Sequence, residues 1–468
     1  MSSAHQKIKV AEFLRSPLRS LPSMLHWVFV LFAAPLVVFL AVRTPAFQSP
    51  DEDNHFYRSW QIAHGGLFSS GGGYVDSGIE QLWACVANLP FKPHAKVTDA
   101  DAACERTVSW SGKTVYREFP NTAAYFPAGY IPQALGILIG RAIGIGVLNT
   151  LFLARILNGA ACVAICAFAL SVCRGGKILI FAVLLLPMTL SLFASSSQDA
   201  LLIALACLAF SLISRQLDTG APMTRKIAAI VFALLLIISL ARPINAALAL
   251  VFFVPGILQP KHSKRLWIAG SALTCIVVAL TVAWWGAAIG AQRNSARTYV
   301  PTSFHVDPKL QLAFLLHHPS IVATLLGSVV HQTGLYLAST VGVLGWLDTI
   351  MPAPYYLAML LVLVVAATGE FANGRAISRV AVVLILFATI VSVAGVFFTS
   401  YLMFSPVGAM GLYGVQGRYF IPLIIAAAVG LPCLRNSSKY YERATAIVVL
   451  AQLLTVAVLP HVIMARYY

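Results

Sequence analysis

The chain reads as an all-α polytopic membrane protein, and three observations predict it. Hydrophobic residues make up 59% of the 468 and charged residues only 10%, against roughly a quarter charged in soluble domains. Apolar runs of about 18 or more residues recur, the length a helix needs to cross hydrocarbon. The runs are continuous and do not alternate apolar with polar residues, which excludes a transmembrane β-barrel. The net charge of +16 is not the footprint of nucleic acid. Most Lys and Arg lie in short links between apolar runs, where they set orientation.

Residues 1–23 form a basic tail, with Lys7, Lys9, Arg15 and Arg19 against Glu12 alone. Such a tail is expected on the cytoplasmic side. The run 24–42 is too long for a signal-peptide core and lacks a small-residue cleavage site, so it is expected to remain as an anchor. Residues 24–468 then read as one transmembrane domain. Its first extracytoplasmic loop, 43–149, holds nine of the sixteen Asp and Glu. It also holds Cys85 and Cys104, the two cysteines in the expected outer loops. An oxidising exterior would join them in a disulfide; two separate thiols are the alternative.

The segment 127–147 is apolar enough to span but contains Pro132, Arg141 and five glycines. Counted as a span, it turns the later basic links to the side opposite the basic tail. Left on the outer surface, it puts 174–177, 215–226, 261–265, 369–379 and 435–443 all on the inside. The positive-inside bias therefore predicts a juxtamembrane helix. The expected spans are 24–42, 150–172, 178–195, 200–214, 226–241, 245–258, 266–289, 352–368, 378–400, 419–434 and 444–463. That makes about eleven, with the N-terminus inside and the C-terminus outside.

With this topology the polar outliers converge on the outer face. Asp51, Glu52 and Asp53 follow the first span, and Ser195–Asp199 opens the fourth. Arg242 ends the fifth. The fourth outer loop, 290–351, carries Arg293, Arg297, His305, Asp307, His317, His318, His331, Gln332 and Asp348. A fifth loop carries Gln416, Arg418 and Tyr419. Ionisable residues at membrane depth are functional candidates, because burying an unpaired charge costs several kcal/mol. Carboxylates facing arginines suit an acceptor hydroxyl and an anionic phosphate: one group takes the proton, and the other forks onto the phosphate oxygens. Plainer readings stand beside these. Asp199 suits a helix N-cap, Arg242 a helix end, Arg418 an interfacial anchor, Arg155 a snorkelling side chain, and the acidic triad a solvated loop. His317 and His318 are adjacent, which is not a metal-ligand spacing.

Pro50-Asp51-Glu52, followed by Phe56-Tyr57-Arg58, resembles the first-loop motif of GT-C type glycosyltransferases. Further matching pieces are Gln61 with Gly65, Tyr125-Phe126-Pro127 with Gly129-Tyr130, Ser195–Asp199, and 414–422. Together they resemble most closely a bacterial family of uncharacterised polytopic membrane proteins placed near the GT-C enzymes. The resemblance implies a GT-C-like fold whose long first loop carries juxtamembrane helices, in a bacterial inner membrane. It implies a polyprenyl-phosphate-linked sugar as donor and an envelope glycan or lipid-linked acceptor. Asp51 takes the position of the catalytic base, Asp199 that of the second acidic residue, and Glu118 that of a further first-loop acid. Glu52 and Asp199 are expected to orient the acceptor or a divalent metal ion, which Asp51 and Asp199 would share. Arg242 and Arg418 are expected to bind the donor phosphate. Asp53, His55, Arg58, Arg155, Gln416 and Tyr419 complete the expected substrate contacts. Asp53 and His55 depart from the pattern of the lipid-A-modifying and protein-mannosylating enzymes. An O-antigen-type polymerase or ligase is one alternative. A transporter or flippase is another, and it would show inverted repeats and midplane charges. A structural partner of an envelope complex is a third.

Overall fold

A backbone in hydrocarbon must satisfy its own polar groups, so apolar runs become helices. The computed structural model describes residues 2–259, 263–291, 305–375, 377–434 and 437–468, with side chains from residue 20 onward. Arg293, Arg297, Lys261 and Arg435 lie outside the described residues.

Helix α1 (Ser2–Arg43) leads through residues 44–51 into α2 (Glu52–Ala63). The rest of the first loop forms a small layer: β1 (Gly72–Asp76), α3 (Ser77–Cys85), α4 (Asp99–Thr107), β2 (Thr114–Glu118), α5 (Pro120–Ala123) and α6 (Ile131–Ala142). The two strands pair antiparallel, with Gly72 opposite Glu118 and Asp76 opposite Thr114. The Asp76 carboxylate accepts from the amides of Gly78, Ser111 and Gly112, closing the ribbon onto α3. A disulfide joins Cys85 to Cys104 with their Cα atoms 5.7 Å apart.

The bundle continues with α7 (Val147–Val172), α8 (Lys177–Leu184), α9 (Pro187–Phe193), α10 (Gln198–Thr219), α11 (Arg225–Ala241), a 3₁₀ stretch (Pro243–Phe253) and α12 (Lys264–Ala291). Then come α13 (Pro308–His317), α14 (Ile321–His331), α15 (Thr333–Gly342), the short pair β3 (Val343–Leu344) and β4 (Thr349–Ile350), α16 (Ala353–Glu370), α17 (Arg379–Phe404), α18 (Ile421–Val429), α19 (Ser438–Ala451) and α20 (Leu453–Tyr467).

Among the described residues, seven helices are long and apolar enough to cross a membrane: Ser20–Arg43, Val147–Val172, Gln198–Thr219, Lys264–Ala291, Ala353–Glu370, Arg379–Phe404 and the stretch Ser438–Tyr467. The pair α13 and α14, bent by 112°, makes an eighth if it is one span. The other four expected spans are shorter pieces. The run 178–195 breaks between α8 and α9, where Pro187 lacks an N–H. The run 226–241 is a helix of 17 residues. The run 245–258 is 3₁₀ as far as Phe253, which rises about 2.0 Å per residue. The run 419–434 opens as a 3₁₀ turn, and its helix stops at Val429, ahead of Pro432.

Connections gather at two ends of the bundle. At one end Glu370 accepts the amides of Gly176 (2.9 Å) and Ile178 (2.6 Å), Arg375 donates to the Val429 carbonyl (3.0 Å), and Met223 N–H donates to Ile257 (2.8 Å). At the other end Arg155 reaches the carbonyl of Ala41, Trp285 donates to Leu240, and Arg466 pairs with Asp348.

The segment 127–147 forms a 3₁₀ turn and then α6, whose twelve residues measure about 18 Å against the ~30 Å of a hydrocarbon core. A Cβ on Gly136 would lie 2.5 Å from Ala154 Cα, and one on Gly140 2.6 Å from Thr150 Oγ1. Helices α6 and α7 therefore meet along a seam of small residues. The opposite face of α6 exposes Ile131, Leu135, Leu138 and Ile139. We expect Gly136→Leu to cost about 1–3 kcal/mol by overpacking, read as a lower unfolding midpoint in detergent. Leu138→Ala on the exposed face should stay within about 0.5 kcal/mol.

Candidate functional site

A helix leaves its last four carbonyls without intrahelical partners. Arg155, on α7, takes one of these at the end of α1 and two carbonyls of the turn that follows. Its Nη1 donates to the carbonyls of Ala41 (3.0 Å) and Thr44 (2.7 Å), and Nη2 to that of Pro45 (3.0 Å). The same guanidinium pairs with Glu52 through Nε–Oε1 (2.8 Å) and Nη2–Oε2 (2.6 Å). Glu52 Oε1 also accepts the amide of Ser196 (3.0 Å). Both side chains are fully buried, and all five guanidinium N–H donors are used. Such a pair is tolerated in the interior only when each partner is satisfied this completely. The expected substrate contact of Arg155 is therefore corrected: its donors are spent on the end of α1 and on Glu52. It does not snorkel either, since it points inward. Glu52, expected to orient acceptor or metal, is instead the counter-ion that joins α2, α7 and the 195–197 loop.

Next to this clamp Asp51 precedes α2 with φ 58 and ψ 19, a left-handed conformation that Asp and Asn tolerate better than other side chains. From it runs a ladder of four charges. Asp51 Oδ2 accepts from Arg418 Nη2 at 2.9 Å, and Arg418 Nε stands 3.5 Å from Asp199 Oδ2. Asp199 in turn takes Arg242 through Nη2–Oδ1 (2.6 Å), Nη2–Oδ2 (2.8 Å) and Nε–Oδ1 (3.2 Å). The Tyr419 ring lies 4.2 Å from the Arg242 guanidinium and 5.5 Å from that of Arg418, in cation–π range of both. Asp199 is not the N-cap of α10. Ser197 is, its Oγ accepting the Asp199 amide; the carboxylate is left to the arginines. Arg418 reaches the ladder because Gly417 allows close approach. A Cβ there would meet the Thr340 amide nitrogen at 2.1 Å, and the turn is pinned by Ser339 and Thr340.

The remaining expected contacts divide. His55, one turn along α2, sits with Nδ1 2.8 Å from Tyr130 Oη, Nε2 3.3 Å from Ser197 Oγ, and its ring stacked on Tyr125. Burial lowers its pKa from 6.5 to about 4, further helped by Arg418 and Arg242 and opposed by Asp199 and Asp51. It is neutral at pH 7. Asp53 is half-buried, with Oδ1 sealed off and lacking a hydrogen-bond partner. Burial, aided by the charges of Asp51 and Glu52, raises it from 3.8 to about 7. Arg58 is corrected from a substrate contact to an anchor: it holds Gln61 and the carbonyls of Gly66, Leu67 and Tyr125. Gln416 is half-buried and caps the 3₁₀ turn through its backbone carbonyl. Glu118 ends β2, next to Phe119, whose ring packs on Tyr57.

Several residues of the site were not in the expected set. Tyr125 and Tyr130 frame His55, and burial pushes Tyr125 up to about 12. Gln133 and Asn158 donate to the carbonyls of Ser195, Ser196 and Ser197 and so shape the loop that presents Asp199. Trp284 and Trp285, at the end of α12, donate to Ala124 and Leu240. The stretch Tyr125–Tyr130 was visible as a motif; the amides and tryptophans carry no local signal. His305, His317, His318 and His331 are exposed on the segments around α13 and α14, and Asp307 caps α13. Asp348 is taken by Arg466.

The donor set does not suit a divalent ion. A guanidinium stands between Asp51 and Asp199, and the described residues contain no group of three or more His, Cys, Asp or Glu able to hold one.

Four chain segments meet in this ladder. A family profile described as predicted membrane protein (DUF2142) matches residues 35–427. The chain belongs to that family. The match runs from inside α1 to α18 and takes in every member of the ladder. No curated protein and no solved structure matches the chain. The DUF2142 chain is thus a multi-pass membrane protein with a buried ionic site at one end of its bundle.

Two predictions follow from this geometry. Arg155→Met leaves Glu52 buried without a counter-ion, which should cost about 3–5 kcal/mol; the double change Glu52→Gln/Arg155→Met should recover much of it. Thermal unfolding in detergent reads both. His55 and Asp53 give opposite pH slopes. Between 6.5 and about 4 the unfolded chain holds a proton on His55 that the fold lacks, so stability falls as the pH drops. Between 3.8 and about 7 the fold holds a proton on Asp53 that the unfolded chain lacks, so stability falls as the pH rises. Asp53→Asn should therefore make stability climb from pH 4 to 6.5, and His55→Gln should make it decline. Parallel slopes in the two variants would refute both assignments.

Proposed function

We propose that the protein is a GT-C type glycosyltransferase of the bacterial inner membrane. It moves a sugar from a polyprenyl-phosphate donor to an envelope glycan or lipid-linked acceptor at the extracytoplasmic face. The observation that carries this reading is the Asp51–Arg418–Asp199–Arg242 ladder, in which the expected base meets Arg418 and Asp199 joins the two expected phosphate-binding arginines. Asp51 accepts the proton of the attacking hydroxyl, Arg418 and Arg242 hold the phosphate as it leaves, and Asp199 positions the two arginines. One-step attack by the activated hydroxyl inverts the anomeric centre.

Eleven passes are part of this reading. The four short apolar pieces run between the same two ends of the bundle as the long helices, which supports it. The basic links 174–177, 215–226 and 369–379 lie at the end opposite the ladder, which supports an inside N-terminus and a ladder facing out.

Asp51→Asn keeps a side chain suited to the left-handed backbone and removes the charge. With synthetic polyprenyl-phosphate sugars and envelope glycans, it should transfer at least about 10²-fold more slowly than wild type. Equal transfer by both would remove Asp51 as the base. No transfer, but substrate flux in vesicles, would favour a transporter.

A further inference from the structure

We infer that Arg418 masks Asp51 in the resting site and that the donor's phosphate, by taking Arg418, releases the base. This rests on the glycosyltransferase reading and adds an order of events to it: donor first, base second. Among the described residues the ladder sets two carboxylates against two guanidiniums, with His55 neutral beside them. A proton acceptor bound to a guanidinium is a poor base, because the pair stabilises the charged carboxylate.

The two carboxylates are not held alike. Asp199 receives three hydrogen bonds from Arg242 and stays at 5% side-chain exposure. Asp51 meets Arg418 through Nη2 and is the more open, at 15%. An arriving anion therefore separates Asp51 from Arg418 more readily than Asp199 from Arg242. Arg418 also has capacity to spare: Nη1 is buried with no hydrogen-bond partner, and Nε has only the 3.5 Å approach to Asp199. A phosphate offers the fork of acceptors that a guanidinium edge fits. Tyr419, against both guanidinium faces, keeps their planes in place while the edge changes partner.

The step then balances. The acceptor hydroxyl passes its proton to the Asp51 carboxylate, and its oxygen bonds to the anomeric carbon. The bond from that carbon to the phosphate oxygen breaks, and its electron pair leaves with the lipid phosphate. That phosphate gains a charge on leaving, so it holds Arg418 away from Asp51 until the lipid departs. With no donor bound, Asp51 is masked and does not activate water.

The test reads the reactivity of Asp51. Purified full-length protein is treated with a water-soluble carbodiimide and an amine, and adducts on Asp51 and Asp199 are quantified by peptide mass spectrometry. The additions are undecaprenyl phosphate, undecaprenol or inorganic phosphate. The expected result is an Asp51 adduct about tenfold higher with undecaprenyl phosphate, the factor a pair worth about 1.4 kcal/mol holds back. Asp199 should not change, and undecaprenol should have no effect. Arg418→Gln should raise the Asp51 adduct without any lipid, and Arg418→Lys should restore the mask. Should Arg418→Gln fail to fold, the wild-type titration decides. Unchanged or lower Asp51 labelling, with the lipid bound by native mass spectrometry, overturns the mask. If inorganic phosphate unmasks Asp51 but undecaprenyl phosphate does not bind, the mask stands and the lipid donor falls. If neither unmasks it, the inference fails.

Discussion

The structure depends on the buried pair of Glu52 and Arg155. Its role is local before it is functional. Helix α1 ends in a buried turn whose carbonyls need donors. Arg155 supplies them at Ala41, Thr44 and Pro45, and Glu52 makes the burial of that cation tolerable. The same two side chains fix the register of α1 against α7, start α2, and hold the 195–197 loop through the Ser196 amide. Asp51 and Asp199 each lie within three residues of that clamp in the chain. The structural ion pair thus anchors the chain on which each of them stands, and Arg418 bridges the two.

Around the clamp the site is built from chain ends rather than helix middles. Asp51 precedes α2, Asp199 opens α10, Arg242 follows α11, and Arg418 precedes α18. Helix ends suit such groups because their backbone polar atoms remain open to partners, and long side chains there can meet across a bundle. The tryptophans of α12 and the amides of Gln133 and Asn158 add a frame that touches backbone carbonyls. That frame gives the charged groups fixed directions without competing for their charge.

The charge balance of the ladder bears on its chemistry. Four ionised groups in a site of low exposure are stable only as a neutral set, and each arginine here is shared with a carboxylate or an aromatic face. Asp53 and His55 stand next to the set, displaced in opposite directions by burial: His55 is neutral, and Asp53 holds its proton up to about pH 7. A ligand that enters as an anion must exchange partners within this set. A bare divalent cation would meet a guanidinium between the two carboxylates.

Composition and apolar periodicity by themselves determined the all-α, multi-pass class. They also isolated the three acidic residues beside the first span, since charges near hydrocarbon stand out in any window of the chain. The basic links also argued against a full span at 127–147, where the structure has a helix of twelve residues. Roles were another matter. Residue type and motif put all four arginines in the expected site, Arg242 and Arg418 on the donor phosphate and Arg58 and Arg155 among the other substrate contacts. Only the tertiary structure separates two that spend their donors on backbone carbonyls and Glu52 from two that face Asp51 and Asp199. Glu52 and Asp51 are neighbours in sequence, yet one is sealed in a clamp and the other lies in the ladder. That division is decided by the left-handed turn at Asp51, the α1 terminus and a helix more than a hundred residues away. None of these leaves a mark on local residue spacing.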